Sequence, residues 1–75
     1  MRIVEKDNFS YRVQITYDAT ADKYVGSLQS VKTDMADVHN WFSQATCESN
    51  IRNEVVKWGK NRLDRIEADP GISFL

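Results

Sequence analysis

An α+β domain, a three-stranded antiparallel meander followed by an amphipathic helix packed on it, is predicted by two patterns and one boundary. The first pattern is Tyr11-Arg12-Val13-Gln14-Ile15-Thr16-Tyr17, apolar and polar by turns, the period of a half-buried strand. The second is the spacing of Ile51, Val55, Trp58 and Ile66, with Val56 and Leu63 beside them. At about 100° per residue these share one face of a helix. The boundary is Asp69-Pro70-Gly71: Pro70 disfavours helical geometry at Asp69, and Gly71 permits a sharp turn.

Taken in order, a short first strand is expected over about 2–6, closed by the turn signal Asp7-Asn8. The alternating segment gives a second strand over about 10–17. Asp18-Ala19-Thr20-Ala21-Asp22 reads as a turn, and Tyr24, Val25, Leu28 and Val31 carry a third strand over about 23–31. Gly26 interrupts it, which suggests a bulge or a close approach of another backbone. The next segment has two readings. Thr33-Asp34 can start a short helix over about 34–44, with Met35, Val38, Trp41 or Phe42, and Ala45 at helical spacing and Asp34 and Asp37 in the first turn. The rival is a fourth strand through Val38 to Phe42. The start signal favours the helix.

The long helix is expected over about 47–68, with Thr46 as its N-cap and Glu48 at the positive end of the dipole. Its apolar arc predicts Trp58 buried between helix and sheet. The opposite arc holds Asn53, Glu54, Lys57, Lys60, Asn61 and Asp64, with Glu54–Lys57 and Lys60–Asp64 as surface pairs. Arg52 and Arg62 fall within or beside the apolar arc. Either their aliphatic stems cover the core while the guanidinium groups reach water, or the arc extends past the core and meets a partner. Gly59 costs about 1 kcal/mol relative to Ala in mid-helix, so close packing on the sheet, or else on another helix, is expected to offset it.

Seventy-five residues make one domain, 1–75, with a short tail at 70–75. A domain of this size buries only about 60% of the surface its unfolded chain exposes, so self-association into a homodimer is expected. Two Trp, three Tyr and three Phe supply core material. The one cysteine rules out an internal disulfide and fits a reducing compartment. No apolar run approaches the roughly 20 residues of a membrane span. Met1-Arg2-Ile3-Val4 followed by charge is not a signal peptide. The chain therefore reads as a complete cytosolic frame with no membrane partner. Net charge is −1, without the basic excess of nucleic-acid binders. Residues 1–32 carry five basic and four acidic side chains, and residues 33–75 five and seven, an imbalance too small to name a partner.

Catalytic and cofactor chemistry find little support. Cys47 and His39 are the only Cys and the only His. A thiol at a helix start is somewhat activated, but catalysis also needs a positioned base and an oxyanion site, and no glycine-rich loop lies nearby. One His and one Cys fall short of a zinc ligand set. Asp18 and Asp22, or Asp34 and Asp37, lack the alternation, central Gly and closing Glu of a calcium loop. Phosphate-loop, dinucleotide and zinc-protease motifs are missing. Tyr11, Tyr17 and Tyr24 with Arg12 and Lys23 could stack bases, but their alternation with Val13 and Ile15 reads as a core face. No catalytic residue, metal ligand or cofactor is expected.

Strand, turn and strand from Tyr11 to Val31, then a helix capped at Thr46, resembles the order of elements in small antitoxin and phage regulator domains. The resemblance is one of element order, covers half the chain and includes no specific motif; the prokaryotic or phage-type regulator reading rests on size and on the chemistry excluded above. Together these readings predict a non-catalytic interaction protein, acting as regulator, inhibitor or adaptor by occupying a surface of another protein. Its contact residues are expected among Arg52, Arg62, Lys57, Lys60 and Arg65. The alternative is a nucleic-acid-binding regulator using those bases with Arg12 and Lys23, a patch interrupted by Glu54, Asp64 and Glu67.

Overall fold

The computed structural model describes residues 1–36 and 40–68. Asp37, Val38, His39 and the Asp69-Pro70-Gly71 stop with its tail lie outside the described residues. The α+β class holds, but the sheet has four strands, not three. These are β1 (Val4–Lys6), β2 (Phe9–Asp18), β3 (Lys23–Lys32) and β4 (Phe42–Ser49), antiparallel in sequence order, with one helix, α1 (Arg52–Ala68). Among the described residues the short helix expected over 34–44 is a 3₁₀ turn, Thr33–Met35, and the fourth strand, Phe42–Ser49, lies after the Val38-to-Phe42 strand of the rival reading and shares only Phe42 with it.

Turn chemistry sets the register of the meander. Asp7 and Asn8 adopt positive φ, 54° and 71°, which short Asx side chains tolerate and which a tight two-residue hairpin turn requires. Asp18 Oδ1 accepts hydrogen bonds from the Thr20 and Ala21 amides at 3.0 and 3.3 Å, the local closure that places Asp at turns. Across this hairpin the Tyr17 hydroxyl donates to Asp22 Oδ1 at 2.5 Å. That bond, first among its causes, raises the Tyr17 phenol above its ordinary pKa. The protonated form is the one favoured, so the bond's contribution to stability is present below the ordinary phenol range and is lost as pH rises through the raised value. Asp22 has a φ of 53°, which Asn also tolerates. Asp22→Asn should therefore keep the turn and lower the Tyr17 pKa, read by NMR titration of its ring carbons.

The alternation in β2 sorts the two faces. Val13 is buried, and Tyr11 and Ile15 pack beside it; across the register Val13 faces Leu28, and Leu28 faces Ala45. Val4, Val13, Leu28 and Leu63 form the core, with Trp58 and Ile66 packed on it. Trp58 is half-buried rather than enclosed. The outer face is polar: Arg12 Nε donates to Gln29 Oε1 at 2.8 Å, Gln29 Nε2 donates to Gln14 Oε1 at 3.2 Å, and the Ser27 and Ser43 hydroxyls meet at 2.9 Å. At one end of this face Ser10 is buried, with its hydroxyl 3.2 Å from Thr33 Oγ1.

Helix α1 starts later than the sequence suggests. Thr46, Cys47 and Glu48 belong to β4, so Thr46 caps nothing and Glu48 is not in a helical turn. The start is built by Ser49. Its hydroxyl accepts from the Ile51 amide at 3.0 Å and donates to Glu54 Oε1 at 2.6 Å. Glu54 sits in the first turn, where a carboxylate suits the dipole. Ile51 precedes the helix and is 52% exposed, not part of the buried arc. The expected pairs of Glu54 with Lys57 and Lys60 with Asp64 give way to longer-range contacts. Arg2 donates to Asp64 at 2.7 Å and Glu67 at 3.0 Å, and Lys6 Nζ donates to the Ile66 carbonyl at 3.0 Å. These clip Arg2, just before β1, and Lys6, at its end, to the last turns of α1.

Both awkward glycines mark the contact of helix and sheet. A Cβ on Gly59 would lie 2.8 Å from Val13 Cγ1, so the mid-helix glycine does secure close packing on the sheet. Gly26 is approached by helix side chains rather than by a backbone. The strand irregularity lies elsewhere, between Leu28 and Gln29 where β4 pairs.

Candidate functional site

The helix covers only part of the inner face. It meets β3 at Gly26 through Val55 and Trp58, and its last turns are held at Lys6. Beyond that line, among the described residues, no helix lies above one end of the sheet. Phe9 opens β2 opposite Lys32, and Phe42 opens β4 opposite Ser30. Met35 sits on the 3₁₀ turn that follows β3. These three apolar side chains are 39%, 67% and 45% exposed for Phe9, Phe42 and Met35. With Ser30 and Lys32 they line an open groove of about 430 Å³. Two of its polar lining residues bond to each other, Ser30 Oγ accepting from Gln44 Nε2 at 2.8 Å.

The five basic residues singled out on the helix are all exposed, but they do not form one patch. Arg52 and Lys60 line one flank with Met1, Val13, Ile15 and Val56. Arg62 and Arg65 line the other with Leu28 and Ile66. Lys57, at helical spacing, falls between the flanks on the side away from the sheet. The Arg62 guanidinium lies 5.7 Å from the Trp58 ring centroid, so this arginine covers half-buried aromatic surface with its head in water. The two sheet bases are engaged on the outer face. The Arg12 guanidinium stacks 4.2 Å from the Trp41 ring centroid, and Lys23 Nζ is 3.8 Å from Glu48 Oε1.

Cys47 is in β4 opposite Gly26 and half-buried, not in the first turn of a helix. The expectation of a helix-start thiol is therefore corrected, and its supposed partner His39 lies outside the described residues. Among the described residues no three His, Cys, Asp or Glu side chains gather in a metal-binding cluster, and no helix is long and apolar enough to cross a membrane. The apolar groove was not visible in the sequence, because Phe9, Met35 and Phe42 come from three elements with no common period. No protein-family model, curated protein or solved structure matches the chain.

Proposed function

We propose that this chain is a non-catalytic interaction protein of the prokaryotic or phage regulator type, acting in the cytoplasm by occupying a surface on another protein, with a homodimer as its working unit. The observation that carries the reading is the exposed trio Phe9, Met35 and Phe42 around one open groove. Scattered apolar side chains on a surface need no explanation, but a contiguous set rimmed by polar groups marks a contact site. The basic flanks of α1, with Arg52 and Arg62 foremost, are a second contact zone in the same reading. The nucleic-acid alternative draws less support, because its helix bases lie on two flanks and the back of α1, while Arg12 and Lys23 are tied to neighbours.

The test is quantitative capture from a host lysate with the tagged full chain, comparing variants. Met35 is on a surface turn, so Met35→Asp should change stability by no more than about 0.5 kcal/mol. It should lower recovery of the captured protein ten-fold or more. Cys47→Ser should leave recovery within a few-fold. Equal recovery with wild type and Met35→Asp would remove the groove from the proposal. Loss on Arg52→Glu and Arg62→Glu alone would move the contact to the helix flanks. A separate column experiment addresses the alternative: retention on DNA that falls steeply with salt is the signature of phosphate binding, and the expected result is no retention.

A further inference from the structure

Helix α1 ends beside the groove, and seven residues follow it in the sequence, Asp69-Pro70-Gly71-Ile72-Ser73-Phe74-Leu75, outside the described residues. We infer that Ile72 to Leu75 occupy the groove of Phe9, Met35 and Phe42 in their own chain, so that an outside partner must displace them. The occupation follows from the course of the helix; the competition rests in addition on the reading of the groove as a contact site. The helix enters at the far end of the sheet, after Ser49 of β4, which pairs with Tyr24. Val55 then lies over Gly26, and Leu63 packs with Val4, Val13 and Leu28. By Ile66 the helix has reached Lys6, whose Nζ donates to that carbonyl at 3.0 Å. Lys6 is paired with Phe9, a wall of the groove. The axis of α1 therefore delivers the following residues to the end of the inner face where the groove opens.

Reach and chemistry fit as well. Seven residues span at most roughly 25 Å, and the whole width from β1 to β4 is three strand spacings, about 14 Å. Pro70 disfavours helical geometry at Asp69 and Gly71 permits a sharp turn, so the sequence allows a change of direction before Ile72. Ile72 and Phe74 are two apart, the spacing that puts side chains on one face of an extended segment. Leu75 adds a third apolar group. Phe9, Met35 and Phe42 are their exposed apolar counterparts in the groove. The segment's one charge is Asp69. Among the described residues lining the groove the one charge is Lys32, of opposite sign. A tethered segment also needs little affinity of its own, because the link replaces a bimolecular encounter by a high local concentration.

Paramagnetic broadening in NMR spectra of the full chain tests the occupation. With Cys47→Ser removing the native thiol, a nitroxide is attached at Ser73→Cys. It should broaden the Met35 methyl and the Phe9 and Phe42 amides, and leave the Asp18 and Lys23 amides at the other end of the sheet sharp. Ile72→Asp with Phe74→Asp keeps the tether but removes the apolar contact, so the broadening at Met35 should fall by at least half, whereas Phe74→Leu should keep it. In a mixture of spin-labelled chain with label-free, isotope-enriched chain, the enriched chain should stay sharp. Equal broadening at Met35 with and without the two aspartates overturns the occupation. Broadening in the mixture means that a second copy fills the groove, and overturns occupation within one chain. Competition is read by lysate capture. If the groove is open in about one chain in ten, releasing the segment raises apparent affinity about ten-fold, and recovery with the two aspartates should rise several-fold. Unchanged recovery overturns the competition alone; the contact-site reading falls only if Met35→Asp also leaves recovery unchanged.

Discussion

Leu63→Ala should cost about 2–5 kcal/mol, the range for emptying a fully buried leucine site. Leu63 is 0% exposed and belongs to the cluster with Val4, Val13 and Leu28, so one side chain from α1 ties together β1, β2 and β3. A domain of 75 residues holds a total of roughly 4–11 kcal/mol, so this single truncation should remove a large share of it. Urea unfolding followed by tryptophan fluorescence measures the change, and the wild-type slope should be kept if only stability is altered. Ile51→Ala is the internal contrast. The helical period counts Ile51 among the core residues, but the structure leaves it half in water before the helix begins. Its truncation should shift stability by no more than about 0.5 kcal/mol. A large loss at Ile51 with a small one at Leu63 would mean that the helix is rotated from the position described.

Legibility in the sequence follows the physical source of each element. β2 carries its own signal, since one face is buried and the other solvated, and alternation records that. The turns at Asp7-Asn8 and Asp18–Asp22 are equally local, resting on Asx side chains and positive φ. The middle of α1 is legible because Val55, Gly59 and Leu63 face the sheet at helical spacing. β4 is not legible, because it is held from outside. It is an edge strand whose inward residues are small, Ala45 and Cys47 opposite Leu28 and Gly26, so it shows no apolar alternation. Thr46 serves a strand as readily as a helix cap, and with Glu48 two residues later it imitated a helix start. The true start, Ser49 bonded to Ile51 and Glu54, lies only three residues on. Pairing with β3, a tertiary fact, decided between them.

The candidate surface divides along the same line. Arg52 and Arg62 were conspicuous because a helical wheel places them beside apolar residues, and they do line the two flanks of α1. The groove of Phe9, Met35 and Phe42 depends on where the helix stops covering the sheet, which no local pattern encodes. How closely the helix lies on the sheet is set in part at Gly26, because the absent side chain there lets Val55 and Trp58 settle directly on β3.

Gly26→Val should therefore be among the most damaging single changes. A Cβ at this position would lie 2.5 Å from Val55 Cγ1 and 3.1 Å from Trp58 Cζ3. The first distance is too short to persist, so helix and sheet must separate. Valine's preference for strands opposes the clash, but that whole scale spans only about 1 kcal/mol. Overpacking a filled core costs about 1–3 kcal/mol and occasionally more, and valine adds two further methyl groups to the offending Cβ, so the clash wins. Gly59→Ala is the balanced case: helix propensity returns about 1 kcal/mol against a 2.8 Å approach to Val13 and a 3.0 Å approach to the flexible Met1. Its net effect should be much smaller than that of Gly26→Val. The cause is separable by a double-mutant cycle with Gly26→Ala and Val55→Ala. If the clash with Val55 is responsible, Gly26→Ala should cost clearly less when Val55 has already been cut back. Purely additive losses, or a Gly26→Val protein with an unchanged urea midpoint, would show that α1 does not rest on β3 at this glycine.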